Sequence, residues 1–110
     1  MNARLDVFQV VADPSRRHML LLLSQGGMTI NAIAENFEMS RPAISQHVKA
    51  LHEAGFITIE DSGRTRYCRI KKDGFEHLLE WINYFDQFWQ EKMQDLGALM
   101  ANQHEHNTPS

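Results

Sequence analysis

The chain has 110 residues, of which 43% are hydrophobic, and this length allows one modest core and a single domain. The longest apolar run, residues 19–23, is far too short to cross a membrane, and the first residues lack the basic-then-apolar order of a secretory signal. We therefore expect a cytoplasmic protein without a membrane partner. The single cysteine, Cys68, cannot form an internal disulfide or build a zinc site alone.

The formal net charge of −3 is distributed unevenly along the chain. Residues 41–72 contain seven basic and three acidic side chains, a net +4, whereas residues 73–110 carry a net −6. Local positive charge is what binding to phosphate groups requires. The acidic total therefore does not exclude nucleic acid, and the basic segment is where such contacts are expected.

Two helices are predicted before residue 28. The first covers residues 4–12, and Asp13 and Pro14 then begin the second, because a capping carboxylate and a first-turn proline suit a helix start. The second helix contains the leucine run and ends at Gly26 and Gly27, since glycine adopts the backbone conformation that often follows a helix.

Residues 29–51 predict two short helices joined by a tight turn. In the first, residues 29–37, apolar side chains recur at helical spacing and Thr29 can cap the first turn. Ser40 and Pro42 begin the second, which has an apolar face of Ile44, Val48 and Leu51. Its other face offers Arg41, Ser45, Gln46 and Lys49. A helix with such donors on one side can enter a DNA major groove and form hydrogen bonds there.

From Phe56 to Ile70 the apolar residues alternate instead, which predicts a two-stranded β-hairpin with its turn at residues 61–63. Basic residues lie at and after the hairpin tip. A pair of helices followed by such a hairpin is a winged helix–turn–helix, in which the hairpin reaches the DNA backbone or minor groove. The predicted fold class is mainly α with a small β-hairpin.

A long helix is predicted over about residues 73–102, completing a domain of residues 1–102, and residues 103–110 are expected to form a disordered tail. Apolar side chains three and four residues apart keep one face apolar along this helix. So small a domain has too little other surface to cover that face, so we predict a homodimer. The predicted dimerisation residues are Phe75, Leu78, Ile82, Phe85, Trp89, Met93 and Leu96.

The order of three motifs resembles the ArsR/SmtB family of bacterial repressors over about residues 4–100. These motifs are Ala-Asp-Pro-Ser-Arg-Arg at residues 12–17, the segment at residues 40–51, and Gly-Arg-Thr-Arg-Tyr at residues 63–67. The resemblance implies a homodimeric winged helix that binds double-stranded DNA and blocks transcription. It implies that the residues that read or grip DNA are Ser40, Arg41, Ser45, Gln46, Lys49 and the wing residues Arg64 and Arg66; His47 also matches the family pattern.

The sequence departs from the metal-sensing members of that family. Where they carry Cys-x-Cys, this chain has Asn31, Ala32 and Ile33. On the last helix, where another group of members binds metal, it has His77 but Phe88 eleven residues further on. We therefore predict no metal site and no cofactor, and a closer likeness to the branch without a recognisable metal site.

Several alternatives remain open at this point. Arg16 and Arg17 fit either a phosphate contact or a salt bridge on the helix surface. A winged helix can also serve only protein contacts. A metal, or a small apolar molecule at the aromatic cluster of residues 81–89, could release a repressor from DNA. Cys68 is interpreted as a packed side chain. No constellation of catalytic residues is present, so we do not expect an enzyme.

Overall fold

A computed structural model describes the backbone of residues 5–107 and the side chains of residues 5–100. The chain divides into two compact units between Leu78 and Leu79. Among the described helices, none combines the length and apolar character that crossing a membrane requires. The elements, in chain order, are α1 (Val7–Ala12), α2 (Pro14–Leu23), β1 (Met28–Thr29), α3 (Ile30–Ala34), α4 (Arg41–Glu53), β2 (Ile57–Ser62), β3 (Thr65–Ile70) and α5 (Asp73–Asn107).

The first four helices begin where a side-chain oxygen caps them. Asp6, Asp13, Thr29 and Ser40 each accept a hydrogen bond from the backbone N–H three residues further on. These N–H groups have no partner inside the helix, so each cap stabilises a helix start. The predicted caps at Asp13, Thr29 and Ser40 are confirmed. Asp6 also forms a reciprocal capping box with Gln9.

Several helix boundaries differ from the sequence-based prediction. Helix α2 ends at Leu23 and not at Gly26, because the amides of residues 25 and 26 bond three residues back in tighter turns. Helix α1 begins at Val7, and residues 1–4 lie outside the described part of the chain. Helix α3 ends at Ala34, because the next amides bond three residues back in tighter turns (Phe37 N to Ala34 O, 3.1 Å). Helix α5 continues to Asn107 and so includes residues 103–107 of the expected tail; residues 108–110 lie outside the described residues.

The sheet has three strands in the order β1-β3-β2, where the sequence predicted only the hairpin. Strand β1 pairs antiparallel with β3, with Met28 opposite Cys68. A two-residue strand is too short to show alternation, which is why the pattern missed it. The predicted turn was also misplaced: Ser62 pairs with Thr65, so Gly63 and Arg64 form a two-residue turn, with Gly63 at a φ of 64°.

The core lies in the first unit and draws on every element from α1 to β3 except β1. Phe56 and Cys68 are fully buried in it, which agrees with the interpretation of Cys68 as a packed side chain. Burial raises the pKa of the Cys68 thiol, which keeps it protonated at neutral pH. The other buried apolar residues are Val10, Met19, Leu20, Leu23, Ile30, Ile33, Ile44, Val48, Leu51 and Ile57.

Gly74 approaches the buried ring of Phe56, and a Cβ at residue 74 would lie 2.7 Å from Phe56 Cδ1. We expect Gly74→Ala to lower the free energy of unfolding by about 1–3 kcal/mol, the usual cost of overpacking, because the fully buried ring has no solvent to move into. Urea unfolding measures this, with the exposed Lys72→Ala as the control. A Gly74→Ala protein as stable as the wild type would contradict this packing.

The Asp13 carboxylate gives a pH-dependent contribution to stability. Partial burial alone would raise its pKa, but the hydrogen bond from the Arg16 amide and the charges of Arg16 and His47 outweigh burial and hold the pKa below 3.8. A carboxyl whose pKa is lower in the folded state stabilises the fold above its unfolded pKa. That stability is lost as the pH falls through the folded pKa.

We therefore expect Asp13→Ala to cost about 1 kcal/mol at pH 7, the typical value of a helix cap. The difference from the wild type should shrink as the pH falls below 3.8 and through the folded pKa. Asp13→Asn keeps a capping oxygen without a charge and should lose only the pH-dependent part. Urea unfolding at a series of pH values from neutral to acid compares the three proteins. Equal stability of Asp13→Ala and wild type at pH 7 would rule out the cap.

Candidate nucleic-acid interface

Helix α4 has one buried and one exposed face, as its periodicity predicts. Ile44, Val48 and Leu51 are at most 2% exposed and belong to the core. The side chains of the opposite face, Arg41, Ser45, Gln46 and Lys49, are exposed. Lys49 is 75% exposed and lies 3.9 Å from Glu53, a surface pair of the kind that contributes little and exchanges readily. The exposed face is therefore available to another molecule.

Two hydrogen bonds hold the start of α4, one within the helix and one to α3. The Ser40 hydroxyl accepts from Ala43 N at 3.3 Å as the helix cap, and its own proton remains available for donation. Arg41 donates through Nη1 to Asn31 Oδ1 on α3. Sequence reasoning missed Asn31 as a functional residue, because nothing local pairs it with a side chain ten residues away on another helix. The Asn31 amide holds one nitrogen of the Arg41 guanidinium beside α3.

The tip of the wing carries two exposed arginines, and a third, Arg69, lies further along β3. Arg64 lies in the β2–β3 turn and Arg66 at the start of β3. Arg66 Nε donates to Asp61 Oδ1 at 3.2 Å, between side chains that are both more than half exposed. So exposed a pair is weak, and a phosphate can displace the carboxylate.

The wing tip and the start of α4 meet at a cleft of about 330 Å³. Among the described residues that line it there are three arginines and no carboxylate, a composition that favours an anion. Three of the predicted DNA-binding residues, separated by up to 25 positions in the sequence, therefore face a common space. The lining residues are Thr29, Ile30, Asn31, Arg41, Arg64, Thr65 and Arg66.

His47 differs from the other predicted DNA-binding residues because it is half-buried, whereas they are exposed. Its Nδ1 lies 3.1 Å from Arg16 Nη1 and 4.0 Å from Asp13 Oδ2. Within the described residues, Arg16 and Arg17 bond to backbone carbonyls and not to the carboxylates of a surface salt bridge. Arg16 donates to Val10 O and to Gln9 O, and Arg17 donates to the carbonyls of residues 11 and 12. Both arginines therefore cap the last carbonyls of α1, which lack partners inside the helix.

The predicted dimerisation residues lie on α5 and are largely exposed in the single chain. In the first unit, Leu78 is half-buried, and Phe75 packs edge-to-face on Phe56 at 4.9 Å while remaining 37% exposed. In the second unit Phe85 is half-buried, and the exposed members are Ile82, Trp89, Met93 and Leu96. An apolar face of this extent is typical of an interaction surface.

Potential metal ligands do not come together within residues 5–100. No group of three or more His, Cys, Asp or Glu there could hold an ion. The side chains of His104 and His106 lie outside the described residues.

Comparison with known proteins agrees with this arrangement. Residues 13–58 match the family described as "Bacterial regulatory protein, arsR family". The chain is 35% identical to the transcriptional repressor SdpR of Bacillus subtilis over 80 residues, 73% of this chain and 89% of that protein. It is 30% identical to an arsenical resistance operon repressor of Staphylococcus xylosus, covering 74% of this chain and 81% of the relative.

Solved structures show the same fold. A crystal structure of an ArsR family transcriptional regulator superposes with a TM-score of 0.72 at 34% identity, covering 76% of this chain and 87% of the other. A homodimeric winged helix-turn-helix DNA-binding domain from Mycobacterium bovis matches with a TM-score of 0.59 at 26% identity, covering 74% and 75% of the two chains. This chain therefore belongs to the arsR family of bacterial regulatory proteins.

Proposed function

We propose that this chain is a sequence-specific DNA-binding transcriptional repressor that acts as a homodimer on a palindromic operator. The cleft between the wing tip and the start of α4 carries this proposal, because it brings Arg41, Arg64 and Arg66 to one space without a carboxylate. Two α4 helices of a dimer would enter successive major grooves about 34 Å apart. Such a regulator would act in the cytoplasm, and no catalytic role is part of the proposal.

The residues of this surface divide into two roles. Ser45 and Gln46 lie at the middle of the exposed face of α4, where side chains of a reading helix reach base edges. The flanking residues Ser40, Arg41, His47, Lys49, Arg64 and Arg66 are suited to phosphate oxygens. Phosphate contacts provide most of the affinity, and base contacts provide the sequence preference.

The apolar face of α5 supports the homodimer. Trp89, Met93 and Leu96 are each about half exposed or more, and leaving such side chains in water is unfavourable. A second copy offers an identical apolar face, so a symmetric contact buries both at once. We propose residues 1–102 as the winged-helix domain with this dimerisation helix.

Release by a small apolar effector is a second candidate. The sequence allows such a site at residues 81–89, where aromatic side chains line a cavity of about 540 Å³ in the second unit. In the first unit, a cavity of about 670 Å³ also favours it, and both volumes are within the range of small-molecule sites. The walls of the cavity in the first unit are mainly apolar side chains, among them Leu20, Leu21, Ile70 and Phe75. This candidate adds a release step to the proposed repressor, and Phe75 belongs both to the cavity and to the predicted dimerisation residues.

We expect Gln46→Ala and Arg64→Ala to affect DNA binding in different ways. Gln46→Ala should relax the sequence preference, since a good base contact discriminates by about 1–3 kcal/mol. Arg64→Ala should weaken all duplexes similarly and reduce the salt slope by about 1. Selection from a random duplex pool, followed by titrations at several salt concentrations, separates the two effects.

Lys92→Ala is the matched charge control, because Lys92 lies on α5 and outside the proposed surface. It should leave both the preference and the salt slope unchanged. Unaltered binding of every duplex by both Gln46→Ala and Arg64→Ala would refute the assignment. Absence of any salt-sensitive duplex binding by the wild type would instead favour the protein–protein module.

We expect Trp89→Glu to dissociate the dimer, because a buried carboxylate without a partner is costly in an apolar interface. The control is Gln87→Glu, which introduces the same charge about 200° around the helix, on the polar side. Sedimentation equilibrium measures the mass of each protein. A dimeric Trp89→Glu protein would show that α5 is not the main interface.

A further inference from the structure

The contact between Arg16 and His47 determines which ring nitrogen of His47 carries the proton. A guanidinium group donates hydrogen bonds and cannot accept them. Nδ1 of His47, 3.1 Å from Arg16 Nη1, must therefore accept. In the neutral ring the single proton then lies on Nε2, at the other side of the imidazole. No residue in the described part of the chain is a partner of Nε2.

The orientation of Arg16 is itself set by the end of α1. Nε donates to Val10 O at 2.8 Å and Nη2 donates to Gln9 O at 3.2 Å, so Nη1 remains for α4. A planar group held at two nitrogens has little freedom at the third. The imidazole of His47 is thus bonded to a donor whose own position is fixed by backbone carbonyls.

On the side of α2, a carboxylate and a guanidinium of opposite charge lie next to His47. Asp13 Oδ2, which caps α2 by accepting from Arg16 N at 3.0 Å, lies 4.0 Å from His47 Nδ1. The carboxylate compensates the nearby guanidinium, so the neutral ring does not face an uncompensated cation. His47 is 21% exposed and lies about 100° around α4 from Gln46, on the side that faces α2.

We propose that Arg16 is a positioning residue for DNA binding: it holds His47 as the Nε2–H tautomer, ready to donate to a phosphate oxygen of the DNA backbone. The alternative tautomer would present a lone pair to an anion, which is repulsive. This inference rests on the proposed function and names a residue that does not itself contact DNA.

The tautomer is measured first, in the protein without DNA. Long-range ¹H–¹⁵N spectra of the histidine rings at pH 8 distinguish the two tautomers, and His47→Asn assigns the His47 signal. We expect the Nε2–H tautomer alone in the wild type and a larger Nδ1–H population in Arg16→Ala, where only the Asp13 carboxylate remains beside Nδ1. A wild-type His47 with its proton on Nδ1 overturns the inference, whether or not the protein binds DNA.

The effect on DNA binding is measured by a double-mutant cycle. The probe is a random-sequence duplex pool of about 30 base pairs, enough for two half-sites one turn apart, because a phosphate contact does not depend on sequence. When His47 is present, Arg16→Ala should weaken DNA binding about tenfold, which corresponds to one hydrogen bond to a charged acceptor. In a His47→Asn background, where the Nε2 donor is already lost, it should change affinity less than about twofold.

Arg17→Ala is the matched control, because Arg17 also caps α1 but does not contact His47. Its effect on DNA affinity should be the same in both backgrounds. An Arg16→Ala effect that is equal in both backgrounds would show that Arg16 is only structural and would overturn the inference.

Two His47 variants provide a test that leaves Arg16 in place. Gln reaches the position of Nε2 with an amide donor, whereas Asn reaches only that of Nδ1. We expect His47→Gln to bind the duplex pool within about threefold of the wild type and His47→Asn about tenfold more weakly. If His47→Asn binds more tightly than His47→Gln, the inference is overturned but the proposed function is not. A wild type that binds no duplex overturns the proposed function, while the tautomer spectra still decide the Arg16–His47 contact.

Discussion

The burial of Ile44, Val48 and Leu51 is the constraint on which the rest of the surface depends. These three side chains share one face of α4, and placing them in the core fixes the rotation of the helix about its axis. Ser45 and Gln46 are then exposed without further interactions to hold them outward. Because protein interiors are closely packed, the helix cannot turn by even one residue without exposing apolar surface and burying polar groups.

The arginines show how one residue type serves different purposes in different places. Arg16 and Arg17 bond to the last carbonyls of α1 and so join the first two helices. Arg41 and Arg64 line the cleft at the wing, whose described lining residues include no carboxylate. The first pair is occupied by backbone acceptors, whereas the second is available to an anion. The net charge of the chain counts both pairs equally. It therefore does not show that the arginines available to an anion are concentrated at the wing.

Much of the fold could be predicted because its signals are short-range. Caps at Asp13, Thr29 and Ser40 act within one turn. The alternation of apolar residues from 56 to 70 predicts two strands that follow each other directly in the sequence and pair. The errors also have local causes. Strand β1 is too short to show a period, and the hairpin turn was placed two residues early because Asp and Ser favour turns as readily as strand ends.

The candidate site divides in the same way. The sequence by itself determined that α4 has one apolar and one polar face, that the wing is basic and that α5 carries an apolar face, because periodicity and charge are properties of neighbouring residues. Only the tertiary structure decided that Asn31 holds Arg41, and that Arg16 bonds to His47 across 31 positions. Those contacts depend on how the helices pack against one another. Periodicity and charge within one element do not give the distance between two helices.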